Sequence, residues 1–334
     1  MMIDYALIWA GLIAFAVLAY IILDGFDLGI GILFPFFKNK TDRETAMNTI
    51  APIWDGNETW LVLGGGGLFA VFPLAYAVIL PALYMPIILM LIGLIFRGVA
   101  FEFHWRATKS QHLWDKGFAI GSLVAALCQG IALGALVQGI RVEDRSYAGG
   151  WWDWLTPFSI TVGIALVVGY CLLGATWLNM KTEGGLQLLA RKIAKFSAVA
   201  TIVAIGIISL WMLFIEKQYL HRWFDEPNIY FLMIVPVLVL LISILLFKSL
   251  FDGREKSPFL LSIGLFILSY SGLCISFFPN IVPPNISLWD AAAPEKSLKF
   301  LLVGSAVLLP IIIAYTSYAY WVFRGKVKAH EAYH

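Results

Sequence analysis

Charge is what this sequence is short of. Asp, Glu, Lys and Arg make up 13% of it, while hydrophobic residues make up 60%; a soluble domain carries about 25% charged residues. That scarcity over 334 residues excludes a soluble enzyme and points to an integral membrane protein. Cysteine is sparse too. Cys128, Cys171 and Cys274 each stand alone in an apolar run, with no CxxC pair, so neither a disulfide framework nor a thiolate metal site is suggested. Each reads as a small apolar space-filler. The five histidines (His104, His112, His221, His330 and His334) all fall in expected loops or the tail. Haem held inside a membrane usually takes His or Met axial ligands, and clustered His that would bind copper or iron is lacking. Met85, Met90, Met212 and Met233 read as packing residues. No cofactor and no metal is therefore expected on this chain, with His104 at the membrane edge the weakest point of that inference. Basic residues are absent before Lys38, and no small-residue cleavage site follows, so the first apolar run is expected to be retained.

What is present is apolar helix. A membrane-spanning helix needs about 20 mostly apolar residues. The pattern predicts an all-α polytopic protein with nine crossings, at 6–36, 55–74, 77–101, 117–139, 156–179, 196–215, 229–248, 257–278 and 299–323. They form one integral membrane domain over residues 1–334, since loops shorter than about 25 residues leave no room for a soluble domain. The second crossing is the least apolar, starting polar and holding Gly64–Gly67. The first is too long for a core of about 30 Å and must tilt or protrude.

The loops orient the chain. With nine crossings and the N-terminus outside, about three-quarters of the 23 Lys and Arg fall on the cytoplasmic side, the bias that positive loops impose. They include Lys38, Lys40 and Arg43 in the first loop and Arg324, Lys326 and Lys328 in the tail. Without the second crossing the N-terminus and the first loop would change sides, which favours keeping nine. Trp151, Trp152, Trp154 and Trp289 in the outer loops read as a belt at headgroup level. Most of the charges fall in loops, and no nucleic-acid partner is expected.

Two carboxylate-bearing stretches interrupt the apolar pattern: Leu23-Asp24-Gly25-Phe26-Asp27-Leu28-Gly29-Ile30-Gly31 and Pro52-Ile53-Trp54-Asp55-Gly56-Asn57-Glu58-Thr59-Trp60. Ionisable residues inside a membrane are penalised unless they face packed protein or water. Gly25 and Gly29 form a small-xxx-small pair that lets another helix approach. Thr41-Asp42-Arg43-Glu44 fits a capping box, so a short helix is expected to begin there. Asp24, Asp55 and Glu58, relayed by water and Asn57, would form a proton path, since burial tunes carboxylates for proton transfer. The structural alternative is equally open for Asp24 and Asp55: Asp24 or Asp27 caps backbone or pairs with Arg97, and Asp55 and Asn57 cap a helix. Asp27, Arg97 and Glu102 read as structural polar partners, and Arg97 is expected to pair with a carboxylate of the same layer.

These two motifs resemble the signatures of the cytochrome bd quinol oxidase subunit II family. Further matches are Phe96-Arg97-Gly98-Val99-Ala100-Phe101-Glu102, Phe278-Pro279-Asn280-Ile281-Val282-Pro283 and Ser287-Leu288-Trp289-Asp290-Ala291-Ala292. The resemblance spans essentially the whole chain, and the short outer loops look like the cyanide-insensitive branch. It implies two four-helix bundles plus a peripheral helix, in a bacterial inner membrane. It also implies a heterodimer with a subunit I that carries haem b and haem d, or haem b only, and oxidises quinol at the outer face. A small single-helix subunit and a structural quinone accompany some members. In the family, the positions matching Asp24 and Asp55 are proposed to lead protons inward, so that sidedness alone charges the membrane. Two other readings remain open at this point. One is a proton- or cation-coupled secondary transporter using Asp24, Asp27 and Asp55, although the second half lacks a matching carboxylate pair. The other is an assembly scaffold without a proton role.

Overall fold

The computed structural model describes residues 3–107 and 109–327. Lys328, His330 and His334 lie outside the described residues. The chain is helical almost throughout: α1 Tyr5–Leu33, α2 Lys40–Asn48, α3 Trp54–Val71, α4 Pro73–Ala82, α5 Tyr84–Arg106, α6 Gln111–Val137, α7 Pro157–Lys181, α8 Gly184–Ile215, α9 Lys217–Phe224, α10 Asn228–Leu232, α11 Ile234–Phe251, α12 Ser257–Phe277, α13 Leu288–Ala291 and α14 Glu295–Val322. Two small antiparallel hairpins, β1–β2 (Val142–Glu143 and Ser146–Tyr147) and β3–β4 (Asn280–Val282 and Ile286–Ser287), fill loops.

Local chemistry explains where several helices start and stop. Asp4 caps α1 by accepting from the Leu7 amide at 3.0 Å. Thr156 and Ser159 form a capping box that opens α7, with Pro157 in its first turn. Phe72 leaves helical geometry (φ −124°, ψ 62°) and Pro73 begins a new helix, so α3 ends at Val71.

Several boundaries differ from the sequence reading. The expected crossing at 77–101 straddles α4 and α5, because Pro81 removes a backbone donor and Leu83 breaks the run. Helix α5 itself runs on to Arg106 and so contains His104, which the sequence reading left in a loop. Helix α8 begins at Gly184, twelve residues before the apolar pattern, as an amphipathic extension carrying Arg191, Lys192 and Lys195. The short helix after the first loop starts at Lys40, with Asn39 rather than Thr41 at its N-cap position and no side-chain capping bond. Instead, Thr45 Oγ1 donates to the Thr41 carbonyl at 2.8 Å.

Among the described residues, eight helical segments are long and apolar enough to cross a membrane. Helix α3 is not one of them by composition: Asp55 and Glu58 occupy its first turns, and four consecutive glycines its middle. Helices α1, α3, α5 and α6 pack as one group and α7, α8, α11 and α12 as another, and the two meet where α7 lies along α1 and α6. Helix α14 touches α1 and α3 from outside; its single buried residue is Leu298.

One end of the molecule is knitted by side chains from distant segments. Trp289 Nε1 donates to Asp4 Oδ2 at 2.8 Å, and Trp9 Nε1 to the Leu298 carbonyl at 3.0 Å. Trp151 and Trp152 are exposed, but Trp154 departs from the expected belt: it is buried with Trp9 and Phe72 in the core at this end.

Candidate functional site

Toward the other end of α1, apolar sequence gives way to Asp24 and Asp27. At about 100° per residue these two and Tyr20 share one face of the helix, and Gly25 and Gly29 lie on another. Glycine at 29 is required by packing. A Cβ there would run into the backbone carbonyl of Tyr170 on α7, and one on the facing Gly174 would come within 2.7 Å of Gly29 C. With its glycine face pressed on α7, α1 turns its aspartates toward α3 and α5. A second close approach sets the height of Arg97: a Cβ on Gly121 of α6 would lie 2.6 Å from the Gly93 carbonyl and 2.9 Å from the Arg97 amide nitrogen of α5.

Arg97 therefore enters the bundle interior and meets three carboxyl groups. Its Nη1 donates to Asp24 Oδ1 at 2.7 Å and to Glu58 Oε1 at 2.8 Å, and its Nη2 lies 3.7 Å from Asp27 Oδ2. The Arg97, Asp24 and Asp27 side chains are 1%, 0% and 0% exposed, whereas Glu58 is 27% exposed and forms the rim. Asn57 completes the cluster: its Nδ2 donates to Asp27 Oδ2 at 2.7 Å and to the Leu23 carbonyl at 3.2 Å. Tyr320 of α14 donates its hydroxyl to Asn57 Oδ1 at 2.9 Å. The Trp54 ring covers the guanidinium at 5.9 Å.

Charge decides what this arrangement can do. One guanidinium faces three carboxyl groups, so the cluster can carry a proton or take up positive charge without losing Arg97 as anchor. Asp27 Oδ1 and Arg97 Nε have no hydrogen-bond partner among the described residues, and the buried Tyr20 hydroxyl faces the Asp24 carboxyl one turn on. Unsatisfied buried polar atoms are costly and are commonly met by internal water. Deeper along α7, the Tyr170 hydroxyl donates to Gln129 Oε1 at 3.0 Å, and Tyr170 faces the charge of Asp24.

The structure thus brings together Asp24, Asp27, Asn57, Glu58 and Arg97. It does not bring Asp55 into the buried cluster: Asp55 is exposed in the first turn of α3, one turn before Glu58, and makes no ion pair among the described residues. Glu102 is exposed on α5 and pairs with no group among the described residues, because it lies off the helix face that carries Arg97, Phe101 and His104 inward.

Sequence reasoning missed Tyr20, Tyr170 and Tyr320, and it missed a second polar group near the end of α5. There, buried His104 bonds through Nδ1 to Asp115 Oδ1 at 2.7 Å, and its Nε2 lies 3.1 Å from Gln111 Nε2. Asp115 in turn accepts from Arg43 Nη1 at 3.1 Å, and Arg43 Nε donates to the Phe37 carbonyl at 2.8 Å. Both ring nitrogens of His104 thereby have protein partners. His221 pairs with Asp225 in an exposed helix. No group of three or more His, Cys, Asp or Glu is arranged to hold a metal ion among the described residues.

Comparison with known proteins places this geometry in a family. The family model described as cytochrome bd terminal oxidase subunit II matches residues 5–323. The chain belongs to that family. It is 31% identical to the Escherichia coli (strain K12) cytochrome bd-I ubiquinol oxidase subunit 2 over 373 aligned positions, covering 99% of this chain and 98% of the relative. It is 29% identical to the Bacillus subtilis (strain 168) cytochrome bd ubiquinol oxidase subunit 2, covering 97% of each. The fold also resembles the solved bd oxidase from Geobacillus thermodenitrificans, with a TM-score of 0.81 at 17% identity, over 96% of this chain and 99% of that one. Family members are subunits of a membrane-bound quinol oxidase, an oxidoreductase, which fits eight membrane-length helices among the described residues.

Proposed function

We propose that this chain is the haem-free subunit II of a cytochrome bd-type quinol:oxygen oxidoreductase, and that its buried charge cluster forms part of the path by which cytoplasmic protons reach the oxygen-reducing site. The observation that carries this reading is the Arg97 guanidinium bridging rim-exposed Glu58 and fully buried Asp24. In this reading the chain crosses a bacterial inner membrane nine times, with α3 as the second crossing and α14 as the peripheral helix beside two four-helix bundles. The N-terminus is periplasmic and the C-terminus cytoplasmic, which puts Glu58 and Asp55 on the proton-supplying side.

The partner is subunit I, whose haem b and haem d (or haem b alone) supply electron transfer from quinol to oxygen. A single-helix accessory subunit, a structural quinone and surrounding lipid complete the assembly in this reading. This chain contributes proton handling and shelter. Asp55 draws protons toward the mouth, and Glu58 exchanges them with water there. Asn57 fixes the Asp27 carboxyl, while Arg97 keeps the negative charge of Asp24 tolerable inside the protein. A proton accepted at Glu58 from bulk water moves to Asp24 through bound water, and Arg97 never releases its own.

The partner requirement is tested by gentle purification from the membrane. The proposal expects a red-brown complex in which this chain accompanies a second, His-bearing chain that holds all the haem. A colourless protein that purifies alone and moves protons or cations in vesicles would overturn it.

A further inference from the structure

We infer that Tyr320 is a positioning residue for the charge cluster: through its hydroxyl it fixes the amide of Asn57, and Asn57 in turn holds Asp27. This rests on the reading of the cluster as a proton path, and it adds a residue from the far end of the chain. An Asn side chain has an oxygen at one corner and an NH2 at the other, and only one orientation suits this site. Asn57 Nδ2 must face Asp27 Oδ2 at 2.7 Å and the Leu23 carbonyl at 3.2 Å, both acceptors. Its Oδ1 then needs a donor, and the Tyr320 hydroxyl supplies it at 2.9 Å. Without that donor, Asn57 Oδ1 is left unpaired in a site where Asn57 itself is buried, and the amide is held only at its Nδ2 end.

Tyr320 is itself held in place at the end of a helix that is otherwise little buried. Its ring meets Phe26 at 6.5 Å and Trp177 at 6.2 Å, edge to face in both cases. One turn on, the chain is clamped to α7: Lys181 Nζ donates to the carbonyls of Phe323 and Gly325, and the Val327 amide donates to the Lys181 carbonyl at 2.9 Å. Lys181 also lies over the Trp177 ring at 4.9 Å, so one indole backs both the clamp and Tyr320. Lys326 adds ion pairs to Glu255 at 2.8 Å and Glu183 at 3.5 Å. The end of α14 is thus fixed by contacts that leave the Tyr320 hydroxyl directed at Asn57.

The test uses the whole oxidase with its partner subunit, comparing Tyr320→Phe, Asn57→Ala and the double variant for quinol-driven oxygen consumption. The haem spectrum reports assembly. Tyr320→Phe is expected to lower maximal turnover about three- to tenfold, with the KM for quinol unchanged. Asn57→Ala should lower it at least as much, and Tyr320→Phe should add nothing in the Asn57→Ala background. Wild-type turnover in Tyr320→Phe, or effects that multiply in the double variant, would overturn the inference. Failure of the underlying proton reading has its own signature, wild-type turnover in Asn57→Ala, and that result overturns the inference as well. If Tyr320→Phe does not assemble, Tyr320→Gln, which retains a donor, should rescue assembly and turnover; an assembled but equally slow Tyr320→Gln would count against it.

Discussion

Arg97 and Asp24 form a 2.7 Å ion pair between side chains that are 1% and 0% exposed. A charge withdrawn this far from water is tolerated only while its partner stays in place. Arg97→Gln is therefore expected to destabilise the folded chain by about 3–5 kcal/mol, because Asp24 would be left buried and uncompensated. Arg97→Lys should rescue only part of this, since a single ammonium does not reproduce the guanidinium that spans Asp24, Asp27 and Glu58. Thermal inactivation of the purified complex and its retained haem measure both variants.

Asp55 and Glu58 should separate in their effects. Asp55 is exposed and outside the buried cluster, whereas Glu58 bonds to Arg97. Asp55→Asn is expected to slow oxygen consumption about fivefold at most, as befits an exposed charge that draws protons toward the mouth. Glu58→Gln should have the larger effect at the same haem content. The order of the two rates at neutral pH is the measurement.

Helix packing predicts a contrast between two glycines. Gly29→Ala puts a methyl group into the Tyr170 carbonyl, so α1 and α7 must separate; loss of at least about 3 kcal/mol and of accumulated complex is expected. Gly65→Ala meets nothing within 4 Å among the described residues and should leave the isolated fold intact. Membrane levels of the two variants, read by quantitative blotting, decide this.

The tie between Lys326 and Glu255 should depend on pH in a defined direction. The hydrogen bond from Lys326, then that from Gln187, holds the Glu255 carboxyl below its ordinary value of 4.5. Lys326 is correspondingly raised above 10.5 by its bond to Glu255. A depressed carboxyl stabilises above its unfolded value and loses that contribution as pH falls through the folded one; a raised amine stabilises below its unfolded value and loses it as pH rises through the folded one. Protection of the amides at the end of α14, as exchange rate relative to that of an unstructured amide at the same pH, should therefore be greatest between these limits and fall as pH drops below 4.5. In Glu255→Gln that acid-side loss of protection should disappear.

The sequence made some of this legible and hid the rest. Bounds for α7 and α12 followed closely from apolar runs ended by polar residues and opened by proline. The α3–α4–α5 breaks did not, because Phe72, Pro81 and Leu83 interrupt helical geometry without interrupting hydrophobicity. The beginning of α8 was hidden for the opposite reason: a basic amphipathic stretch looks like a loop when only apolar runs are counted. Within the site, Asp24, Asp27, Asn57, Glu58 and Arg97 stood out as polar groups in apolar surroundings. Tyr320 did not, since it joins Asn57 across 263 positions and sits in an ordinary aromatic run near the end of α14. His104 and Asp115 were missed because they meet only once α5 continues past Phe101.

The central claim is that the buried carboxyl of Asp24 carries protons inward, beyond holding the bundle together. Asp24→Asn tests it most directly, because the amide keeps the shape of the side chain and an acceptor for Arg97 while losing the ability to take up a proton. In a complex with an unaltered haem spectrum, the account predicts a loss of about tenfold or more in both quinol-driven oxygen consumption and membrane charging. Wild-type rates of both in that assembled variant would contradict it.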